Sequence, residues 1–309
     1  MSDGVTIADV YFPSRVLNAG GTVHLPEDLE RVLFLPDGSP SGVGAGNIGS
    51  IVKSKRSGND GVTYWSNAGT CLKGDIDSHN SRGLWGMGWW EFYASVLHQM
   101  IQRIKSCGMP AIVNVAAFDT EEAVFLVERS FADGADIVTQ NWSCGNTGGD
   151  VLAFEESFYR PTLEATRKVV PPGKRMWIKM PYFGSRGLLR RMAEFINPCE
   201  EIGGVILINT LANGLRLDPT GEPYITPFGG LAGVGGAAIR DFALGQCSMW
   251  LDELNTLRSD KAVIGVGGIQ TREHARMFLD FVGVDLIKVH TAYREKGAGV
   301  FKELAGVAV

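Results

Sequence analysis

The chain has 309 residues, 45% hydrophobic and 20% charged, which is enough apolar material to bury a large core. A formal net charge of −5 gives no general attraction to nucleic acid or to an anionic membrane, and no uncharged apolar run approaches bilayer-spanning length. Five cysteines without disulfide-scaffold spacing, and a start Met1-Ser2-Asp3-Gly4 unlike a secretory signal, point to reduced thiols and a cytoplasmic setting.

Taken in order, the segment Val5-Thr6-Ile7-Ala8-Asp9-Val10 alternates and predicts a small N-terminal β-hairpin beneath the main body of the fold. Short apolar or β-branched runs then occur at 16–20, 50–55, 110–117 and 136–143, and again at 175–180, 204–210, 262–268 and 286–292. Helical patterns fill most of the intervals. Tyr93, Val96, Leu97, Met100, Ile101 and Ile104 draw one apolar stripe, as do Ala275, Phe278, Leu279 and Val282. Asp119 and Glu122 form a capping pair that opens a helix burying Val124, Val127 and Phe131. Eight strands alternating with helices predict an α/β fold, a (β/α)8 TIM barrel in a single domain spanning 1–309. The stretch Gly44-Ala45-Gly46-Asn47-Ile48-Gly49 spells the dinucleotide fingerprint. It follows a loop and leads into a strand, the reverse of the context that places a pyrophosphate on a helix N-terminus.

In such a barrel the C-terminal strand ends form the active mouth. The fourth strand delivers Asn141, Cys144 and Asn146, the fifth Lys179, and the sixth Asn209 and Thr210. Amides hold flat, amide-rich ligands, and a thiol of tuned pKa gives or takes a proton. Gly265-Val266-Gly267-Gly268 on the seventh strand, beside His290-Thr291 on the eighth, matches the usual phosphate site of the fold. No metal is expected, because His24, His79, His98 and His274 have neither ligand spacing nor carboxylate partners.

These residues resemble the dihydroorotate dehydrogenase family, closest to the short kind with a cysteine base, from about residue 5 to the C-terminus. The resemblance rests on six segments in family order. They are Asn80-Ser81-Arg82-Gly83-Leu84-Trp85-Gly86, Asn141-Trp142-Ser143-Cys144-Gly145-Asn146, Lys179-Met180-Pro181-Tyr182-Phe183, Asn209-Thr210-Leu211-Ala212-Asn213-Gly214, Gly233-Val234-Gly235-Gly236 and Gly265-Val266-Gly267-Gly268-Ile269. It implies an FMN-bound barrel in which Asn80, Asn141, Asn146 and Asn209 hold an orotate- or dihydroorotate-like substrate, with Arg82, Gly83, Leu84 and Thr210 beside it. Cys144 is implied as the base and Lys179 as the cation beside the flavin. The FMN-contacting set is Ala19, Gly20, Lys53, Ser54, Asn141, Lys179, Gly233, Gly235, Gly267, Gly268, His290 and Thr291. The implied assembly is a homodimer.

The departures concern the substrate. Gly145 stands where the family has proline, Arg82 replaces a methionine, and Trp85, Trp89 and Trp90 are outside the pattern. The family's strand-two lysine falls on Ser54, flanked by Lys53 and Lys55, of which Lys53 is favoured. The leading expectation is therefore an FMN enzyme that oxidises dihydroorotate. The same cofactor and fold acting on another heterocycle in specialised metabolism is the alternative. A flavin-binding scaffold without turnover fits less well, given the complete cysteine and asparagine set, and a Schiff-base aldolase accounts for Lys179 but not for the amides.

Overall fold

The computed structural model describes residues 4–70, 75–143 and 151–306. Eight parallel strands form its central sheet. In chain order they are Val16–Asn18, Gly46–Ile51, Ala111–Val115, Ile137–Asn141, Arg175–Lys179, Ile202–Leu207, Ala262–Val266 and Leu286–Val289. They lie side by side in the order first, eighth, seventh, sixth, fifth, fourth, third, second. The two ends of that series meet through side chains. Asn18 Nδ2 donates to the Asn47 carbonyl at 2.9 Å, and the Asn47 N–H donates to Asn18 Oδ1 at 2.9 Å. The ring is thus closed as a barrel, as the alternation of elements predicts.

Strand side chains alternate between the barrel interior and the helix layer. Leu17, Ile112, Ile137, Trp177, Ile206, Ile264 and Leu286 fill the lower interior. The predicted hairpin, Val5–Ile7 paired with Val10–Phe12, closes the floor: Phe12 stacks on Trp177 with ring centroids 5.9 Å apart. Burying each such side chain contributes about 1.5–3 kcal/mol. Ile178, Val205, Ile287 and Val289 face outward instead, into the core shared with the helices. Asp119 caps the helix Thr120–Ala132, accepting from the Glu122 N–H at 2.8 Å. Val127 and Phe131 are buried as expected, whereas Val124 is only half-buried.

Two expectations need correction. The second strand runs over Gly46–Ile51, so it begins inside the glycine-rich stretch rather than at residue 50. A Cβ on Gly46 would run into Ile104 of the helix Ala94–Ser106, and one on Gly49, whose φ is +97°, would meet the Asn114 carbonyl. Close packing, not a turn, demands these glycines. The glycine-rich segment around Gly233, given no strand in the sequence reading, is likewise a strand, Leu231–Gly236. It belongs to a second, antiparallel sheet of four strands, ordered Leu211–Leu215, Leu231–Gly236, Asp77–Asn80 and Tyr64–Ser66. This sheet stands beside the barrel mouth. Among the described residues no helix is long and apolar enough to cross a membrane.

Candidate active site

The strand ends and the side sheet enclose a cavity of about 1420 Å³. Its central feature is a line of hydrogen bonds across three neighbouring strand ends. Lys179 Nζ donates to Asn209 Oδ1 at 3.0 Å, and Asn209 Nδ2 donates to the Ser143 carbonyl at 2.9 Å. Ser143 Oγ in turn donates to Asn141 Oδ1 at 2.7 Å. Asn141 and Lys179 are cross-strand partners, which is why residues 38 positions apart reach the same space. This line fixes the backbone immediately before Cys144. Cys144 and Asn146 themselves lie outside the described residues.

The eighth strand supplies two more groups. Lys288 alternates inward between Ile287 and Val289, is 2% exposed, and holds its ammonium 5.3 Å from the centroid of the Trp177 ring. Burial and the nearby Lys179 charge pull its pKa down to about 7. His290 shares that face two residues on, and burial, reinforced by Lys179, pulls its pKa down to about 3, so the imidazole is neutral. Around them run glycines. Gly267 (φ +138°) and Gly268 (φ +70°) border the cavity, and a Cβ on Gly268 would stand 2.7 Å from Arg240 Cβ and 2.9 Å from the Gly236 carbonyl. Gly235 borders the cavity from the side sheet, where a Cβ would lie 2.9 Å from Ser78 Oγ. Thr291, at the end of the eighth strand, completes this wall and is paired with Ser78 Oγ at 3.0 Å.

Opposite, Asn80 ends its strand against Tyr64 and Gly233. Arg82 and Arg294 both place their guanidinium carbons over the Tyr64 ring, at 5.6 and 3.8 Å, and the Tyr64 hydroxyl donates to Glu295 at 2.6 Å. Among the described residues neither arginine forms a salt bridge. Trp85 also borders the cavity, edge-on to the buried His24 ring at 5.1 Å, whereas Trp89 and Trp90 pack on Phe125 away from it.

Most expected site residues therefore line this one cavity. Ala19, Gly20, Asn80, Arg82, Gly83 and Leu84 do so, together with Asn141, Lys179, Asn209 and Thr210. Gly235, Gly267, Gly268, His290 and Thr291 line it too. Three residues are not brought to it. Lys53 turns outward to Glu121, with Nζ 2.9 Å from the carboxylate and 5.5 Å from the Phe125 ring centroid. Ser54 follows it past the end of the strand, and Gly233 is spent on pairing with Asn80. The second strand instead presents Ser50, which accepts from Asn114 Nδ2. Sequence reasoning missed Ser50 because the strand boundary was placed too late. It missed Lys288 although the period-two spacing to His290 marks the shared face.

The profile of the family described as dihydroorotate dehydrogenase matches residues 4–306. The chain belongs to this family. Among its relatives, dihydroorotate dehydrogenase A (fumarate) of Lactococcus lactis subsp. cremoris strain MG1363 is 28% identical over 311 residues, covering 97% of this chain and 90% of the relative. Dihydroorotate dehydrogenase (fumarate) of Trypanosoma cruzi is 26% identical over 308 residues, with the same coverage of 97% and 90%. The crystal structure of a DHODH from Eimeria tenella in complex with ferulenol has the same fold, with a TM-score of 0.76 at 17% identity over 98% of this chain and 82% of that one.

Proposed function

We propose that this chain is an FMN-dependent oxidoreductase that converts dihydroorotate to orotate, with Cys144 as the base. The observation that carries the reading is the Lys179–Asn209–Ser143–Asn141 line of hydrogen bonds, which gathers a cation and two amides at one barrel mouth directly before Cys144. The family membership of the chain points the same way.

The residues present suit FMN. Gly235, Gly267 and Gly268 border the cavity beside Thr291, where their backbone can come close to a phosphate group, and Ala19 and Gly20 line it without a bulky side chain. Bound FMN supplies the two-electron acceptor for the reaction. The side chains do the rest. Asn80, Asn141, Asn146 and Asn209 orient the substrate by pairing with its amide edges. Cys144 removes the proton from the carbon next to the substrate's carbonyl carbon. Lys179, held by Asn209, offsets the negative charge that accumulates at the cofactor edge. The side sheet and Leu84 exclude water from the reacting face.

The test is anaerobic addition of dihydroorotate to the purified protein. The expected result is one FMN per chain and loss of the flavin absorbance on mixing; a protein that neither contains nor takes up FMN contradicts the reading. One observation favours a second reading, an FMN enzyme acting on a different heterocycle: Arg82 and Arg294, free of salt bridges among the described residues, both sit on Tyr64 at the cavity edge. A substrate with a further anionic group would meet both guanidiniums.

A further inference from the structure

Two lysines of the described chain are almost wholly buried, and their surroundings differ. Lys261, 7% exposed, is a structural lysine: its ammonium donates to the carbonyls of Cys199 at 2.9 Å and Ile202 at 3.0 Å. Lys288, 2% exposed, makes no such bond among the described residues. Its ammonium has the Trp177 ring below it and the active-site cavity above. Burying an ammonium without an acceptor costs several kcal/mol unless it sheds its proton or is answered by negative charge.

We propose that Lys288 is a second cation of this site, facing the flavin from below, which takes up one proton when negative charge arrives in the cavity and releases it when that charge leaves. The proposal rests on the flavin reading. It follows from four features: the inward register of Lys288 on the eighth strand, its place in the cavity wall, the missing acceptor among the described residues, and the absence of any lysine on the second strand, beyond whose end Lys53 is paired with Glu121. Among the described residues, the charged and titratable groups around it are Lys179 from the fifth strand and His290 on its own strand. The first is repulsive and the second neutral, and the described residues place no carboxylate beside it. A lysine whose pKa has fallen to about 7 is poised for this exchange near neutral pH.

The balance is simple. Oxidation of the substrate sends two electrons and one proton to the cofactor and leaves the second proton on the base. Once the base has returned that second proton to solvent, one net negative charge remains in the cavity, and one proton passing from solvent to the Lys288 amine neutralises it. Lys179 is already engaged by Asn209.

The experiment is the midpoint potential of bound FMN against pH, from pH 6 to 9, in the holoenzyme and in Lys288→Gln. The slope counts protons taken up per two electrons. In the wild type this count is expected to rise from one towards two as the pH passes from 6 to 8, whereas Lys288→Gln stays at one. A merely structural lysine would leave the slope alone, so equal slopes in both proteins overturn the proposal. If Lys288→Gln does not fold or hold FMN, the wild-type curve decides: a count of one across the whole range overturns it. A wild type that binds no FMN overturns the flavin reading, and this proposal with it, and the absorbance reveals that before any potential is measured.

Discussion

Lys179 and Asn209 meet end to end across the barrel mouth, ammonium to amide oxygen at 3.0 Å. The same amide donates to the Ser143 carbonyl, so hydrogen bonds tie the cation, the amide and the residue directly before Cys144 together. A hydrogen bond to a charged group is worth about 1.5–3 kcal/mol, more than enough to hold three strand ends in register.

Lys179→Ala is accordingly expected to weaken FMN binding and to slow flavin reduction by substrate about tenfold or more. Fluorescence titration of the apoprotein with FMN and anaerobic stopped-flow absorbance measure the two effects. A variant that melts earlier but binds and reduces FMN at normal rates would make Lys179 a structural residue.

Cys144→Ala should keep its flavin and lose reduction by dihydroorotate by roughly two or more orders of magnitude, the usual contribution of a general base. Cys144→Ser should recover part of the rate at high pH, because a hydroxyl is the poorer base. Single-turnover rates read this directly, and a normal rate in Cys144→Ala would assign the base to another residue.

How far the sequence carried the fold depends on what each strand is made of. The strands that carry Asn141 and Lys179 at their ends, and the one that leads to Asn209, are apolar runs followed by a polar residue, and that contrast is visible without coordinates. The second strand is Gly46–Ile51, and its glycines, required by the contacts of Gly46 with Ile104 and of Gly49 with Asn114, imitate a loop. The strand Leu231–Gly236 is hidden for the same reason. That imitation moved the second strand's contribution from Ser50 to Lys53 and Ser54. Lys288 carries no sequence signal beyond its period-two spacing to His290, and its inward burial is seen only in the structure. The stacking of Arg82 and Arg294 on Tyr64 had no sequence signal, because the partners lie far apart in the chain.

Asp136, at the start of the fourth strand, ties the barrel's lower rim together. It accepts from the Ala111 N–H at 3.0 Å and from Lys105 and Lys174 at 3.1 and 3.2 Å. Burial pushes its pKa up, but the Ala111 N–H and the two ammonium groups outweigh this, and the net displacement is downward. A folded-state pKa below the unfolded value of ~3.9 means that this stabilisation is present above that pH. It is lost as the pH falls through the folded value. Asp136→Asn should therefore lower stability by about 1–2 kcal/mol at pH 7, a figure discounted for the partial exposure of both lysines. The difference should shrink as the pH falls below ~3.9, and thermal melts of both proteins at pH 7 and at an acidic pH check it. An equal loss at both would mean that packing, not charge, is responsible.

Arg82 stands in the loop after Asn80, within the same cavity wall. If it meets the substrate carboxylate, the pair is worth about 1.5–3 kcal/mol, and Arg82→Met should weaken orotate binding about ten- to a hundredfold. Dissociation constants from the two proteins decide this. Unchanged orotate affinity would leave Arg82, with Arg294, for some other anion.

Titration of orotate into the oxidised protein, followed in the visible spectrum, tests the proposed chemistry most directly. The expected result is a flavin spectrum that shifts on addition and saturates, as the proposed role of Asn141 and Asn209 in holding the pyrimidine requires. A flavin spectrum blind to orotate at millimolar concentration would contradict it, and would assign this barrel to a different heterocycle.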